Sequence, residues 1–300
     1  MHRAQYGSLL LLPGRGAHRA PRRTRVHRAV ALIVASALTV SLAGCSNGSH
    51  ASDQVIVTGS TTIQPIAEVA KEGFERAHPG VRILVSGVGS SAGIENVIAG
   101  TADIGTSSRD LKGDELHAGL VDTPIAYDAI AVIVNPSNPV DGLTKAQVKA
   151  IFEGRITNWK QVGGPDMEIG LVNRDEASGT REAFFKIVLD KERFDPTAVV
   201  LPGTGQVRSV VAQAPSAIGY ISLGFVTPEV KALAIDGVEP SEEAVVNGRY
   251  PISRVLHFLT RGEPTGLVKE FIDYVLSPEV QEDVVRDAGF IPVTAKDAHQ

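Results

Sequence analysis

The stretch RDEASGTR at residues 174–181 sets an arginine four positions ahead of Ser178-Gly179-Thr180, where the helical pattern EAFFKIVLD begins. Ser and Thr at such a point cap a helix, and taken alone that is reason enough for them. An arginine beside them adds a fork of donors that fits an oxyanion, and helix-start amides add more. Three other stretches share this chemistry: TGSTT at 58–62, GVGSSAG at 87–93 and TSSRD at 106–110. Each offers hydroxyls at the carboxyl end of a strand-like run, where open α/β sheets bind ligands, and the first two add Gly for close backbone approach. Singly they read as ordinary caps and turns, and Arg109 has the plainer option of pairing with a nearby carboxylate. Together they favour a dehydrated oxyanion held mainly by neutral donors.

The elements that must position these loops alternate along the chain. QVIVTG, VRILVS and ADIGTSS read as strands, separated by the helices PIAEVAKEGFERAH and AGIENVIAG. Pro65 stands at a permitted first-turn position, and Gly100 is the expected stop of the second helix. DAIAVIVNP, TKAQVKAIFEG, MEIGLVN, EAFFKIVLD and SAIGYISLG continue the alternation. RVLHFLT, TGLVKEFIDYVLS, PEVQEDVVRDAG and FIPV close it, with no internal repeat. The pattern points to α/β.

The first 44 residues stand apart. Seven arginines and no acidic residue precede the apolar run AVALIVASALTVSLAG, which is short for a membrane span and suits a secretory signal. LAGC ends it, and Cys45 is the single cysteine of the chain. That segment resembles the lipobox of bacterial lipoproteins, which implies an acylated Cys45 as mature N-terminus, a flexible tether over 45–53 and extracytoplasmic anchoring to the cell membrane. Removing seven of the 29 basic residues leaves 22 against 34 acidic ones, a net charge of −12. So acidic a domain is a poor partner for nucleic acid. The same field opposes a small anion, so local donors must hold it.

VTGSTTIQPIAE, GVGSSAGIENVIAGTADIGTSSRDL and NRDEASGTREAFF resemble the ligand loops of phosphate-binding proteins of ABC importers. SAIGYIS, NGRYPISRVLHF and GFIPV follow in that family's order, so the likeness spans residues 55–293. The resemblance implies a two-lobed periplasmic-binding-protein (Venus-flytrap) fold with the ligand cleft between lobes. It implies lobe I over 54–125 plus 246–300, and lobe II over 126–245. It also implies a monomer without cofactor or metal that captures phosphate and delivers it to an ABC permease. The family's contacts fall on Thr61, Thr62, Ser90, Arg174, Ser178, Gly179 and Thr180, with Ser60, Ser91 and Ser107 as further candidates. Ser108, also in the ligand set, stands where many members carry an aspartate that accepts the proton of hydrogen phosphate. Asp175, Glu176 and Asp110 are alternative acceptors, and another tetrahedral oxyanion stays open as ligand.

The rival is a serine hydrolase. GSSAG satisfies G-x-S-x-G with Ser91 as nucleophile. It would need a later histidine: His257 lies inside the apolar RVLHFLT, and His299 in a polar tail. Paired-Cys, H-E-x-x-H and G-K-[ST] spacings are absent from the chain, which offers no metal or nucleotide motif. Trp159 reads as packing or surface support and not as a ligand platform.

Overall fold

Runs of strand period and helical period fold in the order the chain presents them in the structure, a computed structural model that describes residues 53–297. The fold opens with β1 (Gln54–Gly59), α1 (Gln64–Ala77), β2 (Arg82–Gly87), α2 (Ser90–Ala99) and β3 (Ile104–Ser107). The long β4 (Leu120–Val134) leads to β5 (Gly142–Leu143), α3 (Lys145–Phe152) and β6 (Gly170–Arg174). Next come α4 (Gly179–Ile187), β7 (Val199–Leu201), α5 (Thr204–Gln213) and β8 (Ala217–Ser222). Short β9 (Lys231–Ala232), β10 (Ala234–Ile235) and α6 (Glu242–Val246) precede β11 (Ser253–Arg261), α7 (Gly266–Val275) and β12 (Ile291–Pro292).

Local sequence explains most of these ends. Pro65 sits in the first turn of α1, and Ile66, Ala67, Ala70 and Phe74 form its buried stripe. Gly100 closes α2 in the left-handed region at φ 72°. Thr144 and Gln147 form a reciprocal cap on α3. All six residues of β8 are buried, as an apolar run in mid-sheet requires.

The main sheet runs β2-β1-β3-β11-β4-β8-β6-β7. β1 pairs in parallel with both β2 and β3, and β8, β6 and β7 are parallel to one another. Between these halves β4 is antiparallel to β11 over Leu120–Ala129 and to β8 over Ile130–Val134. One 15-residue strand therefore belongs to both halves. Two cores mark the division. Val57, Ile66, Phe74, Ile104, Phe258 and Phe271 pack in the first. Ile130, Phe152, Trp159, Phe184, Tyr220 and Ile252 pack in the second. A smaller cluster around Ile133, Val207 and Val211 covers the other face of the second half under α5. Along β4 the first core ends at Ala126 and the second begins at Ala129. On the return, Tyr250 and Ile252 are still in the second core and Leu256 is in the first.

Two segments differ from the sequence pattern. β4 starts at Leu120, ahead of the apolar stretch from 128, because its first half pairs with β11 while exposing alternate residues. Residues 278–289 break into a short turn (Pro278–Val280) and a π-helical turn (Gln281–Arg286). Gln281 is wholly buried there and donates its side-chain amide to the Ile125 and Val275 carbonyls, which ties this irregular turn to β4 and to the end of α7. Trp159 is likewise wholly buried, with its indole N–H on the Ser216 carbonyl at 2.9 Å, so it packs. No helix among the described residues is long and apolar enough to cross a membrane. The signal segment, Cys45, nearly all of the tether and His299 lie outside the described residues.

Phe184 stacks on Tyr220 with ring centroids 4.1 Å apart and meets Phe152 edge-on at 4.9 Å. Phe184→Ala is expected to cost about 3–5 kcal/mol of unfolding free energy. Denaturant unfolding followed by the fluorescence of Trp159 measures it, and a loss under about 1 kcal/mol contradicts that role for the ring.

Candidate functional site

The carboxyl ends of β1, β3 and β6 and the starts of α2, α4 and α5 deliver short polar side chains to one buried place. Arg174, the last residue of β6, is the centre: only 2 % of it is exposed. Its guanidinium donates to the carbonyls of Leu201 (3.2 Å) and Pro202 (2.8 Å) and to the hydroxyls of Thr204 (3.0 Å) and Thr61 (3.2 Å). None of these partners carries charge. Burial pushes its pKa down, with partial relief from Tyr220 and Asp175. A dehydrated cation on neutral partners is several kcal/mol short of the stabilisation that an opposite charge supplies.

The hydroxyls form a chain across the halves of the sheet. Thr61 meets Thr204 at 3.1 Å, and Thr62 meets Thr180 at 3.2 Å and Thr204 at 3.4 Å. Ser90, wholly buried at the start of α2, accepts from the Ser108 N–H at 3.1 Å, and the two hydroxyls lie 3.3 Å apart. Ser178 caps α4 by accepting from the Arg181 N–H at 3.2 Å, which leaves Gly179 and Thr180 in the first turn with its outward amides. Gly179 is there for space: a Cβ would stand 2.3 Å from Ser90 Oγ and 2.7 Å from Ser108 Oγ. Across the same contact the Ser91 N–H donates to the Ala177 carbonyl at 3.1 Å.

The structure thus brings together Thr61, Thr62, Ser90, Ser108, Arg174, Gly179 and Thr180, with Ser178 as the cap beneath them. The other candidates turn their side chains elsewhere. Ser60 Oγ accepts from the Thr62 N–H, and Ser107 Oγ donates to the Arg109 carbonyl. Ser91 Oγ accepts from Arg109 Nη2 at 3.1 Å. Arg109 itself forks onto Glu115 at 2.7 and 2.8 Å, the carboxylate pairing that its sequence context allowed. Of the alternative acceptors, Asp110 is exposed and paired with Lys186 at 2.8 Å, a bond that holds its carboxyl below the usual range. Glu176 is exposed. Asp175 keeps one buried oxygen without a hydrogen-bond partner.

The hydrolase geometry is missing among the described residues. A nucleophile needs a base within hydrogen-bond reach, but Ser91 is held by Arg109, and His257 Nδ1 is on Asp122 at 2.7 Å. No group of His, Cys, Asp and Glu able to hold a metal occurs among the described residues.

Two participants escaped the sequence reading. Thr204 opens α5 after Gly203, and its hydroxyl joins Arg174, Thr61 and Thr62. The signal was present in PGTGQVRSVV, a Gly-Thr pair before a helical period like the other loops. Arg254 is buried in β11, paired through Nη2 with Asp128 Oδ2 at 2.7 Å, and its Nη1 donates to the Thr180 hydroxyl at 2.9 Å. Opposite charges inside two apolar strand runs were the only hint.

Comparison with known proteins adds an independent line. The model of the PBP superfamily domain matches residues 46–279. A phosphate-binding protein PstS of Bacillus subtilis is 40% identical over 248 residues, which cover 81% of this chain and 82% of that protein. Among solved structures, a candidate phosphate ABC transporter substrate-binding protein from Clostridium perfringens, solved with bound phosphate, is 43% identical with a TM-score of 0.78. The match covers 80% of this chain and 99% of that one. An ABC-type phosphate transport receptor from Vibrio cholerae is 34% identical with a TM-score of 0.67, over 80% and 99% of the two chains.

Gly179→Ala is expected to weaken oxyanion binding at this site at least ~10-fold, since the added methyl displaces two hydroxyls of the set. Calorimetric titration measures it, and affinity within twofold of the parent contradicts the close approach as a requirement.

Proposed function

We propose, from the premise that the chain belongs to the phosphate-binding proteins of the PBP superfamily, that it captures inorganic phosphate outside the cytoplasm and hands it to an ABC importer. It is a two-lobed α/β binding protein and not an enzyme. The observation that carries the reading is the buried Arg174, surrounded by hydroxyls and carbonyls and by no carboxylate that bonds to it. Such a cation asks for an anion, and the small neutral donors around it ask for one with many oxygens.

In this reading Thr61, Thr62, Ser90 and Ser108 belong to lobe I and seat the ligand first. Arg174, Gly179, Thr180 and the newly found Thr204 come from lobe II and complete the shell on closure. Ligand then favours the closed state by the contacts that only that state makes. The lobes follow the two cores, with hinge crossings within β4 near 126–129 and ahead of Leu256. Ser108, a hydroxyl that both donates and accepts, takes the place of a carboxylate acceptor. Asp175, with its one unpaired oxygen, is the reserve acceptor. The chain acts as a monomer, tethered through a lipid on Cys45.

Arg174→Ala is expected to weaken phosphate binding at least ~100-fold, about 2.7 kcal/mol. Isothermal titration of the domain from residue 53 with phosphate, sulfate and molybdate checks this, and unchanged phosphate affinity contradicts the role. Cys45→Ala is expected to move the protein from the membrane fraction to the soluble one. Continued membrane association after that change sinks the anchor.

A further inference from the structure

We infer that Arg254, aimed by Asp128, is a positioning residue of the site: it fixes the hydroxyls of Thr62 and Thr180 as donors toward the bound anion. The inference rests on the phosphate-binding reading and adds a second guanidinium to it.

Asp128 lies in β4 directly opposite Arg254 in β11, at the point where the chain passes from one core to the other. The carboxylate is wholly buried and both its oxygens are filled. Oδ2 accepts from Arg254 Nε at 2.9 Å and Nη2 at 2.7 Å, and Oδ1 accepts from the Ser222 hydroxyl at 2.7 Å and the Leu223 N–H at 3.2 Å. It therefore has no oxygen left for a ligand. Its effect is to hold one edge of the guanidinium so that the remaining N–H groups face the site. There Nη1 donates to the Ser108 carbonyl at 3.0 Å and the Thr180 hydroxyl at 2.9 Å, and Nη2 approaches the Thr62 hydroxyl at 3.4 Å.

A guanidinium only donates, whereas a hydroxyl has one proton and two lone pairs. Once Thr180 and Thr62 accept from Arg254, the proton of each points away from it, either toward the other hydroxyl 3.2 Å away or toward an anionic oxygen that both can reach, which is the polarity that such an oxygen needs. Thr62 stands just before α1 and Thr180 in the first turn of α4, one from each half of the sheet. Arg254 thus sets the same polarity on both sides of the closing contact. Its own charge is cancelled by Asp128, so Arg174 remains the cation that the anion neutralises.

The test removes both buried charges together in Asp128→Asn/Arg254→Gln, alone and combined with Thr180→Val, and measures phosphate affinity, dissociation rate and melting temperature. The expected result is a loss of at least ~10-fold in affinity, expressed in faster dissociation. Thr180→Val, damaging in the parent, then costs less than threefold in the double variant, because its hydroxyl no longer has a set polarity. A general weakening of the fold would not produce that coupling. If the double variant does not fold, Arg254→Lys, which keeps the charge on Asp128 but cannot span to Thr180, carries the same comparison. Affinity within twofold of the parent, or losses that multiply independently, overturns the inference and leaves the phosphate reading intact. A parent protein that binds no phosphate overturns both.

Discussion

A guanidinium removed from water and given only neutral partners governs this protein. Arg174 lies under the ends of β6 and β7, held by two backbone carbonyls and two threonine hydroxyls. The carbonyls fix its direction, and the hydroxyls are shared with the neighbouring loops. Charge without a counter-charge is costly in a dry site. That cost is what makes the binding of an anion favourable, and it explains why the residues around it are short, polar and uncharged. Longer or acidic side chains would either fill the space or neutralise the arginine within the protein itself.

The second buried arginine shows the contrast. Arg254 has its carboxylate, Asp128, and the pair sits where β4 and β11 carry the chain between the two cores. Burial pushes the carboxyl of Asp128 up and the guanidinium of Arg254 down, each opposed by the charge of the other. Such a pair contributes little net stability compared with an apolar replacement, but it holds geometry firmly once made. At a crossing that two halves share, fixed geometry is the useful property. The result is one guanidinium without a carboxylate bonded to it, at a site whose other hydrogen-bonding groups around it are hydroxyls and carbonyls.

This also reconciles the anion with the acidity of the folded domain. Residues 45–300 carry 22 basic and 34 acidic residues, a net charge of −12, and their field over the surface repels small anions. Hydrogen bonds to a dehydrated ligand act at about 3 Å, where the local donors outweigh distant carboxylates screened by water and salt. Selectivity then falls to the shape and hydrogen-bond polarity of the site. Gly179 illustrates the point, since one methyl group there would collide with two hydroxyls from the opposite half.

The sequence by itself determined the strands and helices whose periodicity is local, such as β1, α1, β2, α2, α3, β6, α4 and β8, and the loops that end in Gly, Ser and Thr. It also held the RDEASGT loop that carries Arg174, because caps, turns and apolar stripes are read within a few neighbouring residues. Only the tertiary structure decided which of those loops meet. Thr204 joined because α5 begins beside Arg174, while Ser60, Ser91 and Ser107 turned toward their own backbone or Arg109. Asp128 and Arg254, 126 positions apart, became a pair only through the register of β4 on β11. The physical reason is one of range: capping and periodicity act along the chain, whereas pairing of buried charges and crossing of hydroxyls act through space, between residues whose distance is set by packing.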